Sequence, residues 1–418
     1  MAVTAYRQRW TLDDRAESVW HSLPVDIPPD CAGLSVTLTV PAVEGAVIDL
    51  GCEGADGWRG WSGGARRSFA ITPTAATPGY VAGELEAGTW WVVLGLHRLP
   101  LEGVELIVEA VTGPIAVEDI PGLAAYEAAS TTVAVPARPP RRELPAADGL
   151  RWVAGDFHAH SLHSDGSTPV ANLAALGVAA GLDFIAVTDH NTESHHLELP
   201  SVGRRFGIGL LPGQEVTTES GHANAFGPIG VIDFRRPAAT WVTEVAAHGG
   251  LLSINHPLGG DCSWRQPLPT HPALAEIWHS SWLDRRWGGP IAWWEAWGLK
   301  TTTPIGGSDW HNPMSLTPPG VPTTWVAIDA AAEAPDELPT AVMAALAAGR
   351  TAISAGYNAP VILRNANEFI ILDAPGTVLI SPDGTRRPIR TGREQVPADQ
   401  PGGHVLVDHT GRFIALTN

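Results

Sequence analysis

GDFHAHSLHSDGSTPVANLAALGVAAGLDFIAVTDHN, residues 155–191, reads as a strand, a histidine-rich turn, a helix, a second strand and a second histidine-rich turn. Trp152 and Val153 lead into Asp156-Phe157-His158-Ala159-His160, where extended alternation would set His158 and His160 on one side, within reach of one ion. A helix is expected to begin near Thr168 and Pro169, a capping residue followed by a first-turn proline, and to end near Gly181. The apolar run from Phe184 to Val187 is the next strand, and Thr188-Asp189-His190-Asn191 presents a histidine just past it. Ligand-type residues at successive strand ends are what a barrel with its chemistry at the strand C-termini produces.

The pattern continues downstream. Ile208 to Leu211 precedes Gly213-Gln214-Glu215, Leu251 to Ile254 precedes Asn255-His256-Pro257, and Thr303 to Ile305 precedes Gly306-Gly307-Ser308-Asp309-Trp310-His311. Helical stretches fall between these runs, at Trp241 to Ala247, Pro290 to Leu299 and Leu338 to Ala348. The alternation predicts an α/β barrel over 151–354. Upstream, residues 1–112 carry short alternating runs (Leu34 to Val40, Ala46 to Leu50, Trp90 to Leu94) punctuated by Gly and Pro, the pattern of a β sandwich. Within them, Trp58 to Tyr80 reads as a glycine-rich connection or a binding loop. Residues 113–150 turn to Ala, Pro and charge, and Pro136-Ala137-Arg138-Pro139-Pro140 marks a linker. Residues 355–418 return to short β-like runs, with a hairpin turn at Ser381-Pro382-Asp383-Gly384, and are expected to form a small β unit.

Composition narrows the function. The net charge of −18 argues against nucleic-acid binding, which needs clustered cations to displace counterions. No run approaches a membrane span and the first residues lack a signal-peptide core, so a cytoplasmic protein acting on a small molecule is expected. Nothing in the sequence sets an oligomeric state. Cys31, Cys52 and Cys262 fit neither a disulfide framework nor a thiolate cluster. Twelve of the 16 histidines lie between His158 and His311, and histidine with carboxylate but without cysteine suits zinc, iron or manganese.

The strings GDFHAHSLHSDG, AVTDHN, GQEVTT with GHANAFG, INHP and GGSDWH resemble, in order and kind, the successive motifs of the polymerase and histidinol phosphatase (PHP) superfamily. RGWSGG and ATPGY with the flanking β segments look more narrowly like its carbaryl-hydrolase-like (CehA/McbA) members. The resemblance implies a distorted (β/α)7 PHP barrel holding two or three divalent transition-metal ions, Zn, Mn or Fe. It also implies a ligand set. His158, His160, Glu215 and Asp309 would hold the first ion; Glu215, bridging, with His222 and His256 the second; Asp165, His190 and His311 the third. Glu215, Asp309 and His190 would be the catalytic ligands. Relatives often carry histidine where this chain has Asp165, and an aspartate makes a harder site.

Chemistry supports the same reading. Paired ions about 3.5–4 Å apart lower the pKa of a shared water and polarise the scissile group. Bridging them needs a carboxylate, because imidazole offers a metal one lone pair. Asp156, Asp189 and Ser308 flank the ligands and are expected to orient them. His163, His195, His196 and His279, with Glu193 and Glu219, read as solvated loop residues with a minor chance of touching metal or substrate. Three functions are open at this point. A phosphoester hydrolase would use Arg204, Arg205, Arg265, Arg285 or Arg286 beside the metals. An aryl carbamate or carboxylic ester hydrolase would use a pocket drawn from the nine tryptophans between Trp241 and Trp310. A non-catalytic glycan- or partner-binding protein would retain a degenerate barrel.

Overall fold

The structure, a computed structural model, describes residues 1–42, 45–297 and 302–418. These form a mixed α/β protein with one large sheet and few helices, divided into two compact units. One unit comprises Met1–Val133 with His160–Pro169 and Asp189–Leu197, and the other comprises Ala134–Ala159, Val170–Thr188 and Glu198–Asn418.

The first unit is built from eight strands: β1 (Ala2–Trp10), β2 (Trp20–Ile27), β3 (Leu34–Thr39), β4 (Val47–Gly54), β5 (Gly57–Gly63), β6 (Ser68–Ile71), β7 (Gly88–Arg98) and β8 (Val104–Thr112). Helix α1 (Leu12–Glu17) starts on a reciprocal cap between Thr11 and Asp14. Two antiparallel sheets result, in the orders β1-β8-β3-β6 and β2-β7-β4-β5. Alternation decides what each buries. Leu34, Val36 and Leu38 of β3 and Val104, Leu106, Val108 and Ala110 of β8 share one apolar core with Leu23, Val25 and Ile27 of β2 and Ile48, Leu50 and Cys52 of β4. The stretch read as a glycine-rich connection contains β5 and β6. A ten-residue helix, α2 (Leu123–Thr132), stands in the segment expected to be a linker. The rest of that segment, in the second unit, is pinned down. The Arg138 guanidinium donates to the Gly207 carbonyl, and that of Arg142 donates to the carbonyls of Tyr357 and Ala359.

The second unit follows β9 (Leu150–Asp156), α3 (Val170–Ala179), β10 (Phe184–Val187), α4 (Leu199–Phe206), β11 (Gly209–Thr218), β12 (Gly221–Phe226), α5 (Ala238–Ala247), β13 (Leu251–Ile254), β14 (Leu274–His279), α6 (Gly289–Trp297), β15 (Thr303–Gly307), β16 (Thr323–Asp329), α7 (Leu338–Ala347) and β17 (Thr351–Ser354). Its strands run in the order β15-β14-β13-β12-β11-β10-β9-β16-β17. The neighbours β9/β10, β10/β11, β13/β14 and β14/β15 are parallel, while β11/β12, β12/β13, β9/β16 and β16/β17 are antiparallel. The regular strand–helix alternation expected of a (β/α)7 barrel is therefore broken. Thr218 and Gly221 close β11 onto β12 as a tight hairpin, Gly221 taking φ +124°, and such a turn leaves no chain for a helix. Hydroxyls tie the two ends of this row together, since Thr324 Oγ1 of β16 bonds both the N–H and the carbonyl of Gly306 and Thr351 Oγ1 of β17 donates to Pro304. Phe157, Phe184, Leu211, Phe226 and Ile305 pack with Leu338, Val342 and Leu346 of α7 in the core.

The expected separate C-terminal β unit instead extends this sheet. Strands β18 (Val361–Asn365), β19 (Glu368–Leu372), β20 (Val378–Ile380), β21 (Arg386–Pro388), β22 (Arg393–Pro397), β23 (His404–Val407) and β24 (Phe413–Thr417) follow, and β24 pairs with the open edge of β17. Beyond it β23, β20 and β21 continue the row, while β18, β19 and β22 form a three-stranded sheet of their own. The Ser381–Gly384 turn joins β20 to β21, with Gly384 at φ +83°. The helix expected over Pro290 to Leu299 is α6 as far as Trp297; its last two expected residues lie outside the described residues. No helix among the described residues is long and apolar enough to cross a membrane.

Candidate metal centre

Strand β9 stops at Asp156, so alternation does not carry on to His158 and His160. The reason is local: Asp156 Oδ1 accepts from the His158 N–H at 3.1 Å and turns the chain out of the sheet. The same oxygen accepts from the Ser308 N–H at 2.9 Å, and Oδ2 from the Gly320 N–H at 2.7 Å. Asp156 was expected to orient an imidazole; it holds three backbone segments instead. Ser308 likewise turns its hydroxyl to the His158 carbonyl rather than to a ring, at 3.4 Å.

Within the second unit, six of the nine predicted ligands converge at the ends of β9, β11, β12, β13 and β15. Glu215 is buried, and its Oε1 lies 3.2 Å from His158 Nε2, 3.1 Å from His222 Nδ1 and 3.3 Å from His256 Nε2. Asp309 Oδ1 lies 3.2 Å from the same His158 nitrogen. His311 Nδ1 sits 2.9 Å from the Asp309 carbonyl. His256 and Asp309 both have left-handed backbones, φ +26° and +51°, a conformation that non-glycine residues hold only where their surroundings enforce it. Gly307 is required as well, because a Cβ there would stand 2.4 Å from that of His158.

Sequence reasoning missed the groups that hold these residues. Asn255 Nδ2 donates to Glu215 Oε1 at 2.9 Å, and its Oδ1 accepts from the Asn224 N–H. Glu276, in the otherwise apolar strand β14, places Oε1 3.2 Å from His158 Nδ1 and accepts the His256 N–H on Oε2 at 2.8 Å. A lone carboxylate inside the run LAEIWH was the available signal. Burial opposes its charge, yet His279, His158 and His256 together hold the Glu276 carboxyl below the ordinary range. With Nδ1 committed to Glu276, His158 offers Nε2 to an ion. Glu276→Gln should accordingly weaken metal binding about 10–100-fold, because an amide has one oxygen for two donors; a competitive chelator titration that gave wild-type affinity would refute this role.

His158, His256, Glu276 and His279 are close enough to hold an ion, with ligand atoms within 4.8 Å of one another. The hydrogen bonds assign them otherwise. His279 Nδ1 accepts from the Ser281 N–H at 3.1 Å, so its proton resides on Nε2, which faces Asp309 Oδ2 at 3.2 Å. Glu276 is thus an orienting acceptor, and His279 stands beside Asp309.

In the first unit, His160, Asp165 and His190 lie together, the His160 and His190 rings stacked at 4.4 Å and His190 Nε2 3.6 Å from Asp165 Oδ1. Asp189 fixes the turns that carry them. Its Oδ1 accepts from the Ser161 N–H at 2.9 Å and the Ser164 hydroxyl at 2.6 Å, and its Oδ2 faces His195 Nδ1 at 3.3 Å. Burial opposes its charge, but His195, His163 and His160 hold the carboxyl low. His163 and His195, expected in solvent, are buried; the His163 ring bonds Ser194 and Tyr126. The N-terminal sheets grip the same turns. Trp58 Nε1 donates to the Asn191 carbonyl at 2.9 Å, Thr192 Oγ1 to Gly79 at 2.8 Å, and Arg66 to the carbonyls of Ser164 and Leu162. Gly79 sits at φ +103°, where a Cβ would come 2.7 Å from the His163 carbonyl and 2.8 Å from that of Trp61. Gly79→Ala should cost about 2–4 kcal/mol of stability, read from urea unfolding; a change below about 0.5 kcal/mol would show that these turns yield freely.

Of the arginines considered for phosphate, Arg286 pairs with Asp284, Arg265 donates to the Glu219 carbonyl, and Arg204 and Arg205 are exposed on α4. Arg285 alone of the five lines a cavity with His279.

No protein-family model matches this sequence, and no curated protein matches it. Among solved structures, a two-domain protein from Bacteroides vulgatus containing a predicted PHP-like metal-dependent phosphoesterase is 19% identical, covering 67% of this chain and 99% of its own, with a TM-score of 0.42. An amidohydrolase from Chromobacterium violaceum with bound sulfate and no metal is 15% identical, covering 38% of this chain and 88% of its own, with a TM-score of 0.31. The functional reading rests on the side-chain geometry above.

Proposed function

We propose that this chain is a metal-dependent hydrolase of the PHP superfamily, its curled sheet a distorted barrel, acting on a phosphoester of a small molecule. One observation carries the proposal: a single buried oxygen, Glu215 Oε1, stands 3.1–3.3 Å from three imidazole nitrogens. Two groups each about 2.0–2.2 Å from a common ion lie about this far apart. The donor set suits Zn, Mn or Fe. His158, Glu215, His222, His256 and Asp309 would hold ions here, and His160, Asp165 and His190 are a second group of ligand type. Bound divalent metal would supply an activated water and neutralise charge on the scissile group.

The chain's own residues do the rest. Asn255 and Glu276 fix Glu215 and His158 before any substrate arrives, which reduces the reorganisation needed during reaction. His279 Nε2, 3.2 Å from Asp309 Oδ2, is buried without a hydrogen-bond partner and is placed to meet a substrate group. A second reading, aryl carbamate or carboxylic ester hydrolysis, is favoured by the apolar cleft of Leu258, Trp282, Trp287 and Pro290 beside His256 and His279.

Elemental analysis of the purified protein tests the reading, together with assays on p-nitrophenyl phosphate, bis-p-nitrophenyl phosphate and 1-naphthyl N-methylcarbamate after Mn, Zn or Fe loading. Two or more metals per chain with phosphoester turnover is the expected result. Carbamate turnover alone would move the assignment to the second reading. Neither metal nor turnover would leave a binding protein.

A further inference from the structure

A cavity of about 190 Å³ shares His279 and Trp282 with the apolar cleft and is lined further by Trp278, Arg285, Thr317 and Arg412. Two cations on one small cavity are unusual in a chain of net charge −18. Neither guanidinium makes an ion pair among the described residues. Arg285 lies over the Trp278 ring, 5.7 Å from its centroid, an arrangement that fixes the plane of the fork and leaves its N–H edge available. Burial and the neighbouring Arg412 both disfavour the Arg285 charge, and Asp408 favours it. Asp408 is committed to its own turn, however, its Oδ1 accepting from the Thr410 N–H and hydroxyl and from the Arg412 N–H. Thr317 contributes to the same wall, with its Oγ1 buried away from the cavity.

An oxyanion would answer both cations: it would take the fork of Arg285 and separate it from Arg412. The location gives this a function. His279 walls the cavity, and its other face reaches Asp309 at 3.2 Å, so an anion held here stands one side chain from the candidate metal centre. We propose that Arg285 and Arg412 form an anion subsite that holds a second acidic group of the substrate, a carboxylate or a phosphate, while the scissile ester lies at the Glu215 centre. The substrate part of this proposal rests on the hydrolase reading; the anion site does not.

The test has two arms. In the first, the metal-loaded protein is assayed on 4-carboxyphenyl phosphate and phenyl phosphate. The acidic ester should be preferred in kcat/KM, and the ratio should fall at least tenfold in Arg285→Gln/Arg412→Gln, with partial recovery in Arg285→Lys. A ratio unchanged by the substitutions would overturn the proposal. In the second arm, inorganic phosphate and acetate are titrated calorimetrically into Glu215→Gln, with and without Arg285→Gln/Arg412→Gln added. Binding that survives Glu215→Gln and disappears with the arginines supports the site even if neither ester is turned over, and the tighter of the two ions names the acidic group. No anion binding in Glu215→Gln would overturn the subsite whatever the first arm shows.

Discussion

Glu215→Gln should abolish turnover, by about a thousandfold or more in kcat, and lower the metal content while leaving the protein folded. The substitution keeps shape and burial. The amide oxygen still accepts from Asn255 Nδ2, which now lies 2.9 Å from Glu215 Oε1, so packing alone gives no reason for collapse. Charge is what changes. His158, His222 and His256 surround one oxygen, and a neutral amide oxygen there cannot offset two divalent ions. A loss of about 4 kcal/mol in transition-state stabilisation is what a thousandfold represents. Both metal-free forms should unfold cooperatively, the variant losing the Glu215 contribution to the charged His158, and the gap between them should widen when metal is added. Wild-type turnover and metal content in the variant would show that Glu215 does not bridge.

The second large effect is a proton released on metal uptake. Burial disfavours a charged His158, but Asp309, Glu215 and Glu276 outweigh it and raise the imidazole well above its ordinary range. The shift favours a protonated His158 in the metal-free protein, and an ion must displace that proton to reach Nε2. Apparent affinity should fall about tenfold for each unit of pH lowered below the folded pKa, and calorimetry in buffers of different ionisation enthalpy should count at least one proton released. The sign for stability follows from the same shift. A raised imidazole stabilises the metal-free fold fully below pH of about 6.5 and loses that contribution as pH rises through the folded value. Metal therefore replaces the proton where the proton is failing. Uptake with no proton released would mean that His158 is neutral beforehand and is held by some other balance.

Much of this could be read in the sequence because strand and turn chemistry is local. Strand β10 spans the run from Phe184 to Val187, and β13 the run from Leu251 to Ile254. His158, His256 and Asp309 each follow a strand by two residues, whereas Glu215 and His222 lie within strands. What the sequence concealed was partnership across the fold. Glu276 and His279 lie on one strand, but only the juxtaposition of β14 with the β9 turn makes one a support for His158 and sets the other 3.2 Å from Asp309. Asp156 and Asp189 are adjacent to ligands in the chain, which suggested imidazole partners; Asp156 spends its oxygens on backbone N–H groups, and a neighbour in sequence cannot reveal that. Strands β12 and β16 were missed because a hairpin and an antiparallel return break the repeat that made the other strands conspicuous. His163 and His195 were misjudged as solvated because the surface that covers them comes from residues far away in the chain, Tyr126 for His163.

The compact unit that contains the N-terminal sheets also contains His160–Pro169 and Asp189–Leu197. Those two turns are held by Trp58, Arg66 and Gly79 and carry His160, Asp165 and His190. The first 133 residues are thus not an appendage that could be trimmed without removing the support of those two turns. Any ion taken up by that trio draws binding energy from a part of the chain whose fold was set by a β core, so ligand loading should raise the melting temperature of the sheets themselves. A lineage that lost the sheets would have to rebuild the support for two turns at the same time, which ties the inheritance of the two segments together.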